Sequence, residues 1–305
     1  MKDIIVVGAG CAGLTAAIYA ARAGKSVLVL EGSNIGGQIS YSPRIENYPG
    51  FSTISGAEFS DQLYDQAISF GAEIDLVKIA DIGEGEQGFW LDSDQGKYWG
   101  KAIILATGVS HRALGLSDEQ RLSGKGVSYC AICDGAFYTG ERVAVVGGGN
   151  TALLGVESLA GYCKEVILVH RRESFRGEEA LWQRVKGKKN VRMITSAVVK
   201  ELHGEEELEG VVIRHLVEER EERLSVSGLF ILAGQIPNNQ PFSSLVSLDE
   251  EGYIITDPQC STSKPGIFAA GDCRQKRVRQ LTTAAADGTV AALEAVAYIQ
   301  EKLPK

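Results

Sequence analysis

The chain opens with the apolar run Ile4-Ile5-Val6-Val7, which is stopped by Gly8. A short continuous apolar run bounded by a glycine predicts a strand buried on both faces. A helical run follows from Leu14 to Gly24, and then a second strand, Ser26-Val27-Leu28-Val29-Leu30, which ends at Glu31. The same order recurs downstream. Val143-Ala144-Val145-Val146 predicts a strand, the stretch to Tyr162 a helix, and Glu165-Val166-Ile167-Leu168-Val169 another strand. Strands that alternate with helices predict an α/β architecture with parallel sheets. Phe59, Leu63, Ala67 and Phe70 lie near helical spacing and predict an amphipathic helix over 56–71. Gly83 to Gly88 predicts a turn into a strand that begins Gly88-Phe89-Trp90-Leu91, and Gly204 to Gly210 a turn into Val211-Val212-Ile213. The mixed charge run from Glu218 to Arg223 predicts a solvated face, and Leu281 to Lys302 a final helix.

Glycine accounts for 36 of the 305 residues, and it clusters at strand ends instead of in linkers. The first cluster reads Gly8-Ala9-Gly10-Cys11-Ala12-Gly13 between the first strand and helix. In this arrangement Gly8 permits the tight turn, Gly10 lets a pyrophosphate approach the backbone, and Gly13 lets the helix pack on the strand. Free N–H groups at the helix start suit the phosphates. Glu31 stands 18 residues after Gly13, placed to accept hydrogen bonds from a ribose hydroxyl.

The second cluster reads Gly147-Gly148-Gly149-Asn150-Thr151-Ala152, with Ala152 in the third glycine position, a permitted variant. Here His170 occupies the place of Glu31 and is followed by Arg171-Arg172, with Arg176 close behind. A carboxylate at that place repels a 2′-phosphate, whereas arginine grips one bidentately. The first cradle therefore suits a dinucleotide with an unmodified ribose, and the second suits NADPH. Two such sites in one chain point to an electron relay, in which a flavin in the first takes hydride from NADPH in the second.

Composition narrows the field further. Hydrophobic residues make up 44% and charged residues 23%, as in ordinary globular proteins, and the net charge is −8. An acidic chain of this kind is not expected to bind nucleic acid, because phosphate neutralisation needs a basic face. No apolar run approaches the roughly 18 residues of a membrane span. The first residues read as a strand, not a signal peptide. The cysteines at 11, 130, 133, 163, 260 and 273 are too sparse for a disulfide scaffold, so a cytoplasmic chain with reduced thiols is expected.

One cysteine pair stands apart. Cys130-Ala131-Ile132-Cys133-Asp134-Gly135 lies between the two cradles. A Cys-x-x-Cys has two main readings, half a metal site or a redox disulfide. The other cysteines are single and the four histidines show no paired spacing, so no metal site is expected and a reversible dithiol is the better account. Asp134 is placed to move a proton for the sulfurs if burial raises its pKa.

The motifs together resemble those of the low-molecular-weight thioredoxin reductases along essentially the whole chain. They are Gly8-x-Gly10-x-x-Gly13, Gly36-Gly37-Gln38, Glu46-Asn47-Tyr48-Pro49-Gly50, Ala106-Thr107-Gly108, Cys130-Ala131-Ile132-Cys133-Asp134, Gly147-Gly148-Gly149, His170-Arg171-Arg172 with Arg176, Gly271-Asp272 and Arg279-Gln280. The resemblance implies FAD at Gly8, Gly10, Gly13, Glu31, Gly37, Gln38, Asn47, Gly271, Asp272, Arg279, Gln280 and Leu281. It implies NADPH at Gly147, Gly149, Asn150, Thr151, Ala152, His170, Arg171, Arg172 and Arg176. It further implies that Cys133 lies nearest the flavin, that Cys130 attacks the disulfide of thioredoxin, that Asp134 is the acid–base residue, and that the protein is a homodimer. Two departures stand out: Asn150 where the family commonly has Asp, and Leu154-Gly155 where it often has acidic residues.

The expected fold is thus two Rossmann-like dinucleotide-binding domains, the second inserted into the first. Residues 1–112 and 238–305 would bind FAD, and 113–237 would bind NADPH and carry the Cys-x-x-Cys. Alternatives with the same fold are a reductase of another protein or small disulfide, a dithiol oxidase, and a redox sensor with little turnover. Cys133 precedes Gly147 by 14 residues, so dithiol and nicotinamide are expected to ride on one domain, and if both serve the same flavin face they must take turns. Domain rotation during turnover follows. Covalently cross-linking the two domains is expected to leave one half-reaction and abolish the other, as read by stopped-flow absorbance. Full turnover after cross-linking would refute rotation.

Overall fold

The structure, a computed structural model, describes residues 1–302. It contains two compact units, Met1–Ser110 with Ile236–Lys305, and His111–Gln235. The last three residues of the expected 238–305 segment lie outside the described residues.

In the first unit, β1 (Lys2–Val7) lies between β2 (Val27–Glu31) and the long β6 (Gly96–Leu105), all parallel, with β3 (Glu73–Leu76) beyond β2. β4 (Ile79–Gly85) and β5 (Gly88–Ser93) form an antiparallel hairpin on the first half of β6, and β17 (Ile267–Ala269) runs parallel to its second half. The apolar run of β1 is explained by burial on both faces. Ile4 and Val6 enter one apolar cluster while Ile5 and Val7 enter another, and Ile4, Ile5 and Val6 have no exposed surface. Each such burial contributes about 1.5–3 kcal/mol relative to exposure. α1 (Cys11–Arg22) packs on α6 (Leu281–Lys302) over the first of these clusters. α2 (Gly56–Ser69) starts where the Ser55 hydroxyl accepts the Glu58 N–H at 3.1 Å, a helix N-cap.

The second unit has a five-stranded parallel sheet. β9 (Arg142–Val146) is flanked by β10 (Glu165–Val169) and β15 (Gly228–Ile231), with β11 (Val191–Ile194) and β8 (Val127–Ser128) at the two edges. α3 (Ala131–Asp134), α4 (Asn150–Leu159) and α5 (Glu179–Lys186) belong to the same unit. A separate antiparallel sheet is made of β12 (Ala197–His203), β13 (Gly210–His215) and β14 (Glu221–Leu224). The charge run expected as a solvated face is exposed, apart from the half-buried Glu222. β14 takes in its second half, and ion pairs cross to neighbouring strands, Lys200–Glu221 at 2.7 Å and Arg192–Glu222 at 2.6 Å. β7 (Val109–His111) and β16 (Gln235–Pro237) pair where the chain passes from one unit to the other and back. Among the described residues no helix is long and apolar enough to cross a membrane.

Candidate functional site

The first cradle is built by backbone contact. Gly8 turns the chain at φ 107°, a region that favours glycine, and a Cβ there would strike the Ala106 carbonyl. Gly13 on α1 rests against the Gly8 carbonyl, so any side chain would force the helix off the strand. Beside Gly10 the space is open, with only the Gly36 carbonyl at 3.9 Å from where a Cβ would be. Gly10 also caps α1 without a side-chain hydrogen bond. The first-turn N–H groups are left for a ligand, and a pyrophosphate matches them.

Glu31 is buried at the end of β2. Its carboxylate accepts the Ala9 N–H at 2.7 Å, the Ser33 N–H at 2.7 Å and the Ser33 hydroxyl at 3.1 Å. It therefore ties the glycine turn to β2, and its remaining lone pairs are what a ribose hydroxyl would meet. Gly36 N–H donates to the Ala9 carbonyl at 2.8 Å, and Gly37 begins a 3₁₀ turn (Gly37–Tyr41) in which the Gln38 amide donates to the Val109 carbonyl. The Asn47 amide nitrogen lies 3.5 Å from the Gln280 side-chain oxygen. Gly271 and Asp272 follow β17, and the Arg279 guanidinium stacks over Tyr253 at 4.1 Å. The Leu281 carbonyl, at the start of α6, lies 3.5 Å from the Cys11 sulfur. The twelve residues assigned to FAD thus all lie in the first unit.

Asp272 supplies the test of fit for a ligand. Its Oδ1 is buried and has no hydrogen-bond partner among the described residues. Burial raises its pKa, opposed by the charges of Lys276 and Arg279. A buried carboxylate oxygen without a donor is costly, and a hydroxyl or N–H of a bound flavin would supply that donor. Lys276 lies 3.5 Å from this oxygen and bonds Asp287 at 2.9 Å, and Asp287 also accepts from Arg274 at 2.9 Å and from the Gly271 N–H at 3.1 Å. Nothing in the motif pattern singled out Lys276, Arg274 or Asp287, because their partners are distant in sequence.

In the second unit, β9 leads into Gly147, Gly148 and Gly149 and then into α4, which begins at Asn150-Thr151-Ala152. The Arg176 N–H donates to the Gly148 carbonyl at 2.8 Å, so the arginine loop folds back over the cradle. Asn150 holds that loop from the other side, its oxygen accepting the Glu178 N–H at 2.8 Å. Arg171, Arg172 and Arg176 are exposed and make no ion pair among the described residues. His170 differs from them. Its ring is buried against Gly148, bonded to the Ser174 carbonyl at 3.1 Å and stacked on Phe175, which stacks on Trp182. Burial lowers its pKa, so at neutral pH it braces the loop as a neutral ring and the three arginines carry the positive charge.

Cys130 and Cys133 are joined by a disulfide at the start of α3, with Cα atoms 5.3 Å apart. Cys130 is half-buried and Cys133 exposed. Burial raises the pKa of Asp134, as its expected role requires. A Cβ at Gly155 would lie 3.1 Å from that of Ala131, so this glycine lets α4 lie close under the residue between the cysteines. The free cysteines are all buried, and burial raises their thiol pKa values, for Cys11 to about 12 and for Cys163 and Cys260 to about 11. Protonated thiols of this kind are poor nucleophiles.

The pattern described as pyridine nucleotide-disulphide oxidoreductase matches residues 2–288. The chain belongs to that family. A thioredoxin reductase of Listeria innocua is 41% identical over 300 residues, covering 98% of this chain and 94% of that protein. One from Bacillus subtilis is 39% identical over 300 residues, 98% of this chain and 95% of that protein. The crystal structure of thioredoxin reductase from Streptococcus pyogenes superimposes with a TM-score of 0.95 at 37% identity, covering 99% of both chains. Family membership brings a flavin and a pyridine nucleotide as cofactors.

Replacing Asp272 by Ala removes a charge-assisted partner worth about 1.5–3 kcal/mol. Flavin affinity, titrated on the deflavinated protein, is expected to fall roughly ten- to hundredfold. Unchanged affinity would remove Asp272 from the flavin site.

Proposed function

We propose that the chain is an NADPH-dependent thioredoxin-disulfide reductase, with FAD in the first unit and NADPH in the second. The Cys130–Cys133 disulfide, with Asp134 directly after it, carries this reading. The relatives named thioredoxin reductase, similar over nearly the whole chain, support the choice of acceptor. The proposal extends to a homodimer working in the cytoplasm, which rests on the resemblance and on the cysteine usage.

A flavin held by the first cradle with Glu31 and Asp272 would supply the chemistry that accepts hydride from NADPH and hands two electrons to the disulfide. The chain's own residues do the rest. Arg171, Arg172 and Arg176 offer exposed guanidinium groups to a 2′-phosphate, while His170, Phe175 and Trp182 hold their loop in shape. Opening the disulfide consumes one proton, which Asp134 delivers. It leaves one thiol and one thiolate. Thiolate Cys130 then attacks the disulfide of thioredoxin, and Cys133 resolves the mixed disulfide, releasing reduced thioredoxin and re-forming Cys130–Cys133.

Cys130→Ser is expected to abolish NADPH-driven reduction of a thioredoxin, followed by loss of NADPH absorbance. A variant that kept its rate would overturn the dithiol route. Arg171→Ala with Arg172→Ala is expected to raise KM for NADPH roughly tenfold or more, since each charge-assisted bond lost is worth about 1.5–3 kcal/mol. KM for NADH should stay within about twofold. An equal change for both cofactors would place the 2′-phosphate elsewhere.

A further inference from the structure

Ser128 is the last residue of β8, two positions before Cys130, and it is 5% exposed. Its hydroxyl stands between the acid–base residue and the redox pair. The Ser128 Oγ lies 2.6 Å from Asp134 Oδ2 and accepts the Cys130 N–H at 3.0 Å. The Cys130 carbonyl is 3.4 Å from the same oxygen. Cys133 N–H in turn donates to the Cys130 sulfur at 3.1 Å. One hydroxyl therefore touches the carboxyl and both backbone groups of the first cysteine.

We propose that Ser128 is a positioning residue, one that sets the proton affinity of Asp134 and links its charge state to the backbone of Cys130. The proposal rests on the reading of Asp134 as the proton donor to the opened disulfide. A serine hydroxyl carries one proton and two lone pairs. With Asp134 ionised, Ser128 donates to the carboxylate and accepts from Cys130 N–H. With Asp134 protonated, the carboxyl donates to Ser128, and the serine proton turns to the Cys130 carbonyl. Each state of the acid thus has a complete set of bonds through the same hydroxyl, and the change between them is a rotation of one O–H.

The surroundings leave this bond decisive. Asp134 has no ion pair among the described residues. The groups that face it are Ser128 from β8 and the Tyr138 phenol from the following 3₁₀ turn (Gly135–Tyr138). Burial pushes the Tyr138 phenol up to about 12, so it is neutral at pH 7. Burial drives the Asp134 pKa up, and the Ser128 hydrogen bond is the opposing influence. Such a bond stabilises the ionised form, so its removal raises the pKa.

The redox step balances without a further reagent. The S–S bond breaks on uptake of two electrons supplied by NADPH. One sulfur takes the proton of Asp134 and becomes a thiol, the other remains a thiolate, and Asp134 is left ionised. The rate of disulfide opening must therefore fall as pH rises through the Asp134 pKa. Ser128→Ala moves that fall to higher pH.

The test is the pH profile of the single-turnover reduction of the disulfide in FAD-loaded protein mixed with NADPH, for wild type, Ser128→Ala, Ser128→Thr and Asp134→Asn. Ser128→Ala is expected to shift the alkaline midpoint up by about one pH unit, because a hydrogen bond to a charged group is lost. Ser128→Thr keeps the hydroxyl and should hold the wild-type midpoint. Asp134→Asn should abolish the fall altogether. A midpoint unmoved in Ser128→Ala, or the same loss of rate in Ala and Thr with no shift, overturns the positioning role. If Ser128→Ala does not fold, a shifted midpoint in folded Ser128→Thr overturns it instead. A fall that survives in Asp134→Asn would instead defeat the reading of Asp134 as the donor.

Discussion

The contact on which the first unit depends is the approach of α1 to the end of β1, helix backbone against strand carbonyl with no side chain between them. Gly13 on the Gly8 carbonyl makes that approach possible. It brings the uncapped start of α1 to the sheet edge where Glu31, Gly37 and Asp272 also lie. Backbone N–H groups and two buried carboxyl groups are thereby gathered at one end of the sheet. The buried Asp272 Oδ1 shows the cost of such a site, since it makes no hydrogen bond and the Lys276 ammonium stands off at 3.5 Å.

The second unit repeats the construction with different surroundings. Where the first places a buried carboxylate that bonds its own turn, the second places a buried neutral imidazole and three exposed guanidinium groups. The substitution changes the charge beside the glycine turn without changing the fold, because both residues stand at the same place after the second strand. The short helix α3 lies in the same unit, so the Cys130–Cys133 disulfide and the three arginines belong to one compact unit. Around the dithiol the electrostatics are spare. A half-buried acid answers to one hydroxyl, and the remaining thiols are buried and protonated.

Much of this was legible in the chain. The two-sided burial of β1 and β9 reads directly from their unbroken apolar runs, and both glycine turns read from spacing, because a close backbone approach admits almost no other residue. The Cys130–Cys133 pairing is legible for a similar reason: two sulfurs three residues apart on one turn meet through local geometry. The helix at Gly56–Ser69 followed from period, and the charge run at 218–223 is solvated as its composition predicts. Its second half is also a strand paired with β13, and its ion pairs to Lys200 on β12 and Arg192 on β11 come from residues that no local pattern connects to it.

What only the tertiary structure decided are the roles that depend on distant neighbours. His170 is buried against Gly148 and stacked on Phe175, and that burial lowers its pKa beside three exposed arginines. Lys276 and Asp287 gained their place beside Asp272 by the packing of α6. Ser128 stood in plain view beside the cysteines, but its bond to Asp134 depends on how an edge strand meets a four-residue helix. Backbone sterics and hydrophobic period act over a few residues and are written in order along the chain. Proton affinity and charge pairing are set by whatever surrounds a group in space, and that exists only once the chain has folded.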